Sequence, residues 1–268
     1  MELERLTDTT ALPDPSVGIV GRGRVGRVFS AGLRAAGIPA SDPLGRDARL
    51  GAYQAVLLCV PDSQIGELAA RIEPGPLVGH CSGATGLEVL APHEAFALHP
   101  LMTVTLRDGP ARLRGAAAAI AGTTPRARGL AAALAEKLGM RPFSLADEDR
   151  AAYHAAAAMA SNFLVTLEAA AEAVGAGTGL DRELLAPLVR ATVENWAELG
   201  PHEALTGPVA RGDEATVQTQ RAAVAEQTPD LVELFDTLVG ATRRLAADHE
   251  LGAPRTGSTR PPRAAVGA

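Results

Sequence analysis

A chain of 268 residues, 47% hydrophobic and 21% charged, has room for one large domain or two ordinary ones and enough apolar content to bury a core, which excludes disorder over most of its length. A net charge of −6 disfavours a nucleic-acid binder, and no apolar run reaches the ~18 residues of a membrane span; with no basic-then-apolar leader visible, a cytoplasmic protein is expected. Two cysteines, Cys59 and Cys81, make neither a disulfide scaffold nor a four-ligand zinc site, and of 25 basic residues only Lys137 is a lysine, so lysine chemistry has one candidate.

In chain order, residues 1–16 are polar and read as a flexible lead. Over residues 17–146 short apolar runs alternate with helical stretches. The runs are Val17-Gly-Ile-Val20, Ala55-Val-Leu-Leu-Cys-Val60, Leu77-Val-Gly-His-Cys81, Ala95-Phe-Ala-Leu98 and Ala116-Ala-Ala-Ala-Ile-Ala121. Each is strand-sized and bounded by Gly, Pro or charge, the pattern of βαβ units around a mainly parallel, Rossmann-type sheet. Beyond residue 147 the strand signals stop. Helical periods cover residues 149–174, 182–199, 214–227 and 229–248, broken at Gly175-Ala-Gly-Thr-Gly179 and Gly200-Pro201. The expected fold is therefore α/β: a nucleotide-binding domain over 17–146, then an all-helical domain over 147–251. Residues 252–268, rich in Gly, Pro and Arg, read as a disordered tail.

The first strand runs straight into Gly21-Arg-Gly-Arg-Val-Gly26, which opens a helix. Gly21 permits the tight turn, Gly23 lets the backbone approach a diphosphate, and Gly26 lets helix and strand pack closely; the helix N-terminus favours the anion. That context points to dinucleotide binding by Gly21, Arg22, Gly23, Arg24, Val25 and Gly26, with Arg22 and Arg24 adding positive charge beside the phosphate. Asp42 is placed to grip the ribose of NAD, whereas Arg46 is placed to meet the 2′-phosphate of NADP; NADP is preferred and NAD remains open. Ligands of such sheets lie beyond the carboxyl ends of the strands. Those ends carry Val60 and Pro61 beside the cofactor, Asp62 or Ser63 as helix caps, Ser82 and Gly83 toward nicotinamide or substrate, and His99 before Pro100. A strand-end histidine is often just a satisfied core residue, and that alternative stands for His99. On the helix over 149–174, His154, Ala158, Ser161 and Asn162 share a face at α-helical spacing. His154 can donate a proton near neutral pH and Asn162 can orient a carbonyl or ribose, although His154 taken alone reads first as a hydrogen-bonded residue of the helical core. Thr206-Gly-Pro-Val-Ala-Arg-Gly-Asp213 is a rigid turn in which Arg211 can hold a carboxylate and Asp213 can cap the next helix.

Together Gly21-Arg-Gly-Arg-Val-Gly26, Pro-Leu-Gly-Arg46, Leu-Leu-Cys-Val-Pro-Asp62, His-Cys-Ser-Gly83, Leu-His-Pro-Leu101, Tyr-His154 with Ser-Asn162, and Thr-Gly-Pro-Val-Ala-Arg-Gly-Asp213 carry a resemblance. The chain resembles Rossmann-like proteins whose C-terminal helical domain has no settled function (the domain-of-unknown-function 2520 type), related to pyrroline-5-carboxylate reductase, ketopantoate reductase and 6-phosphogluconate dehydrogenase. The resemblance implies an NADP pocket at residues 21–26, a substrate cleft between the domains and a homodimer formed through the helical domain. β-Hydroxyacid dehydrogenases of that superfamily carry a lysine four residues before an asparagine, and Ala158 stands there before Asn162, so a histidine, His154 or His99, must serve as proton donor. The expected function is an NADP-dependent reductase of the C=O or C=N of a small carboxylate-bearing substrate, such as ketopantoate, a pyrroline or another oxo or imino acid. The alternative is a noncatalytic NADP-binding sensor, which would need no proton donor.

Overall fold

The structure, a computed structural model, describes residues 16–250; the polar lead as far as residue 15 and the tail from 252 onward lie outside the described residues. Its first compact unit ends at Phe163 and its second begins at Leu164, so the division falls within the helical stretch rather than at 146/147.

The first unit is a six-stranded sheet in the order β1 (Val17–Val20), β2 (Ala55–Leu58), β3 (Leu77–His80), β4 (Ala95–Leu101), β5 (Ala117–Gly122) and β6 (Arg141–Ser144). Strands β1 to β4 are mutually parallel, β5 runs antiparallel to β4, and β6 is parallel to β5. The helices are α1 (Arg24–Ala35), α2 (Ile65–Ala69) and α3 (Pro125–Lys137). All four residues of β1, β2 and β3 are buried, as continuous apolar runs should be in a sheet covered on both faces. Side chains alternate between two cores. Val17, Ile19, Leu57, Phe96, Leu98 and Ile120 join one face with Phe29 and Leu33 of α1 and Leu134 of α3. Val20, Val56, Leu58, Val78 and Ala97 join the other with Ile65 and Leu68 of α2. Gly79 is needed where it stands, because a Cβ there would lie 2.5 Å from the Phe96 ring crossing β3.

The far side of β1 is met by a broken strand. Val17 and Val20 bridge Ala40 and Leu44 in parallel, and the Ser41 side chain inserts to accept the Ile19 N–H at 2.9 Å. Pro43 has no N–H to continue the ladder, which is why no regular strand forms there.

Residues 147–163 continue with α4 (Arg150–Ala158) and a π-helical turn, Met159–Phe163. The second unit comprises α5 (Leu164–Gly175), α6 (Arg182–Ala204), α7 (Glu214–Gln227) and α8 (Val232–Glu250). Gly200, at φ 79°, kinks α6 where Gly200-Pro201 was expected to end it. Asp213 caps α7, its carboxylate accepting the Thr216 N–H at 3.1 Å. Between these helices lies an apolar cavity of about 450 Å³ lined by Leu167, Val174, Leu185, Phe235 and Leu238. Among the described residues no helix is long and apolar enough to cross a membrane.

Candidate active site

The turn after β1 has the geometry its three glycines suggest. Gly21 sits at φ 123°, and a Cβ there would fall 2.2 Å from the Cys59 carbonyl oxygen. A Cβ on Gly26 would lie 2.1 Å from the Gly21 carbonyl oxygen, so both positions exclude any side chain. Gly23 is different: nothing lies within 4 Å of its missing Cβ, and that open space faces outward. Gly23 is also the N-cap of α1 and supplies no capping side chain, leaving the first N–H groups of the helix for an external acceptor. Val25 packs onto the first core and steadies the turn.

Three cavities surround this loop, and arginines line each of them. Arg46, Arg49 and Arg71 line one of about 690 Å³, together with Glu73 and with Asp47, which is ion-paired to Arg71 at 2.9 Å. Arg22, Arg27, Arg34 and Asp42 border a second of about 390 Å³. Gly23, Arg24 and Arg107 border a third of about 720 Å³. On a chain of net charge −6 this is a local concentration of positive charge. Asp42 is ion-paired to Arg34 at 2.6 Å with its side chain still 78% exposed, and Arg46 stands exposed at its cavity.

Because β1 to β4 are parallel, Gly21, Cys59, Cys81 and His99 all lie on one rim. Val60 packs on the second core, and Pro61 precedes a single turn at Asp62–Gln64 that has no side-chain cap, so neither Asp62 nor Ser63 caps it. Asp62 instead accepts the Ser82 hydroxyl at 2.7 Å. The same Ser82 oxygen accepts the N–H groups of Ala84 and Thr85, so Ser82 builds the loop and its hydroxyl is engaged there rather than offered to a ligand. His80, fully buried, fastens the loop's two ends: its Nδ1 accepts the Ser82 N–H and its Nε2 meets the Gly86 carbonyl at 3.2 Å. Burial pushes the His80 imidazole below its ordinary value. Cys59 and Cys81 are free thiols in contact; that contact and burial push the Cys59 thiol up.

His99 lies across Gly83, where a Cβ would come within 3.1 Å of three of its ring atoms. Its Nδ1 is 2.6 Å from the Tyr153 hydroxyl of α4, with the rings edge-on at 5.5 Å and 88°. Phe143 of β6 holds the other edge of Tyr153 at 6.0 Å. Burial, with further lowering from the neighbouring His154 and Arg150 and an opposing effect of Asp62, brings His99 to about 4. Burial raises Tyr153 to about 12, opposed by Arg150. At neutral pH both are uncharged. Arg150 is 3% exposed; its Nε donates to Asp147 at 2.6 Å and its Nη2 has no hydrogen-bond partner among the described residues.

His154 is exposed on α4 near His99. Ser161 and Asn162 fall in the π-helical turn, which advances fewer degrees per residue than an α-helix, so their register to His154 differs from the shared α-helical face expected. Arg211 is exposed in the second unit, in the turn ahead of α7. Sequence reasoning quoted Tyr153 only beside His154, without a role, and passed over Arg150. Their i, i+3 spacing was visible, but the contact between Tyr153 and His99 joins residues 54 apart, and no local pattern signals it.

Residues 116–242 match the family described as Domain of unknown function (DUF2520), a match that opens at β5 and so takes in the end of the sheet as well as the helices. No curated protein matches the chain. Among solved structures it is similar to a provisionally described NADP oxidoreductase from Bacteroides fragilis, at 18% identity, 86% of this chain, 98% of that one and a TM-score of 0.75. A Thermotoga maritima protein shares 23% identity over 87% of this chain and 99% of its own, with a TM-score of 0.72. Plasmodium falciparum pyrroline carboxylate reductase, solved with NADP bound, gives 11% identity, 87% and 98% coverage, and 0.55. The chain is thus a Rossmann-like protein with a helical C-terminal region, and its residues 116–242 match the DUF2520 family.

Proposed function

We propose that the protein is an NADP-dependent reductase of the C=O or C=N group of a small carboxylate-bearing substrate, an oxo or imino acid. The observation that carries this reading is the glycine turn: two glycines whose Cβ atoms would strike backbone, and between them Gly23, open to the outside at the uncapped end of α1. That space suits a diphosphate, held by the free N–H groups and the helix dipole. Arg46, with Arg49, would hold the 2′-phosphate. Fold relatives named for NADP chemistry support the same choice.

NADPH, when bound, supplies the two electrons and hydrogen of the reduction. The substrate would lie on the rim beside Gly83 and His99, with Arg24 and Arg107 adding charge that attracts anions. The reduced heteroatom needs one proton, and His99, Tyr153 and His154 are gathered there. A second copy of the chain would cover the helical unit, giving a homodimer.

Titration of the full-length protein with NADPH and NADH tests the reading. NADPH is expected to bind at least tenfold more tightly, and oxo acids or cyclic imines to accelerate its oxidation. Saturable binding of neither coenzyme would overturn it.

A further inference from the structure

We infer that Tyr153 and His99 form a two-residue proton relay to the reduced heteroatom, with the buried guanidinium of Arg150 stabilising the phenolate the relay leaves behind. The inference rests on the reductase reading and names the proton donor that reading requires. A neutral His99 has no second proton to release, so it cannot act as an imidazolium acid at neutral pH. It can still deliver the one it carries if another arrives on its opposite nitrogen.

The arrangement provides for that arrival. Arg150 and Tyr153, three residues apart, share one face of α4. The guanidinium donates through Nε to Asp147, its Nη2 has no hydrogen-bond partner among the described residues, and its charge favours the ionised form of Tyr153. Phenol lone pairs turn toward that charge, which leaves the O–H for Nδ1 of His99, 2.6 Å away. His99 is then fixed as the Nε2–H tautomer, donating away from Tyr153. Gly83, with no side chain, lets the ring take this place, and Phe143 keeps the phenol upright.

The protons balance. As the substrate carbon gains its hydrogen, the heteroatom takes the proton from Nε2 and Nδ1 takes the hydroxyl proton of Tyr153; the Nδ1 proton then returns to the phenolate as Nε2 takes one from solvent, which restores the phenol and the Nε2–H tautomer. His99 ends neutral, so the low basicity imposed by its burial is no obstacle. The titratable and charged groups facing His99 are His154 and Arg150, which both disfavour its protonation, together with His80, and Asp62, which favours it. An imidazolium intermediate is thereby avoided.

Two measurements on the full-length protein test the relay. In ¹⁵N imidazole spectra, assigned with His99→Gln, His99 is expected to stay neutral down to about pH 5 as the Nε2–H tautomer, and Tyr153→Phe to produce a tautomer mixture. In turnover, Tyr153→Phe is expected to lower kcat by ~10²-fold or more while KM and NADPH affinity change less than about twofold. The parent kcat should stay level from about pH 6 to 9, whereas a histidinium donor of ordinary pKa, about 6.5, would lose tenfold per unit above it. A His99 found as the Nδ1–H tautomer or titrating near its ordinary value overturns the relay. A Tyr153→Phe variant as fast as the parent, or a kcat that falls above neutral pH and vanishes in His154→Ala, does the same. Failure of NADPH to bind overturns the reductase reading instead, and the spectra still decide the hydrogen bond.

Discussion

His80 and His99 illustrate how one residue type takes two roles at neighbouring strand ends. Burial lowers the basicity of both, but His80 spends its two nitrogens on its own loop, while His99 turns Nδ1 to Tyr153. This carries a cost in acid. When the chain unfolds, both imidazoles regain the ordinary value of 6.5, so between that pH and the folded value of His99, about 4, the unfolded state binds more protons. Stability therefore falls as pH drops through this window. The melting temperature is expected to decrease from pH 7 to pH 5, and His99→Gln to make that decrease shallower; identical slopes in the two proteins would show that His99 is not held neutral by the fold.

At the scale of elements, the longest helix of the second unit is the least settled in a single chain. Leu184, Leu188, Trp196 and Leu199 of α6 fall within one stripe and are each half or more exposed. A surface of that kind in water calls for a cover, and a second copy is the proposed one. In sedimentation the protein is expected at twice the 27.5 kDa of one chain, with Leu188→Asp shifting it toward the single-chain mass; an unchanged monomer in both would remove the dimer from the account. The elements also show what a sequence makes legible. Strands β1 to β5 were readable because each is an apolar run between Gly, Pro or charge, and α7 because Asp213 announces its start and its period is unbroken. Strand β6 was not, since Arg141-Pro-Phe-Ser144 is a mostly exposed edge that borrows its shape from β5 and tolerates proline there. The π-helical turn was invisible for a related reason, because Met159–Phe163 has no composition that distinguishes it from the α-helix around it. The glycine turn could be read as chemistry from its spacing alone, whereas the pairing of His99 with Tyr153 depends on folding.

Taken as a whole, the first unit is a sheet covered on both faces whose one open rim gathers the glycine turn, the arginines and the His99 pair. The parallel strands set the spacing: β1 and β4 are three inter-strand steps apart, ~14 Å at ~4.8 Å each, a span suited to an extended dinucleotide reaching from the turn to His99. Everything proposed for the rim depends on that seat being a phosphate site. Gly23→Ala isolates the question, because its backbone, at φ −72°, accepts alanine and the new methyl meets no protein atom within 4 Å. The most direct measurement is calorimetric titration of parent and Gly23→Ala proteins with NADPH, alongside their melting temperatures. The expected result is an unchanged melting temperature with affinity weakened at least tenfold; equal affinity in the two proteins would contradict the account.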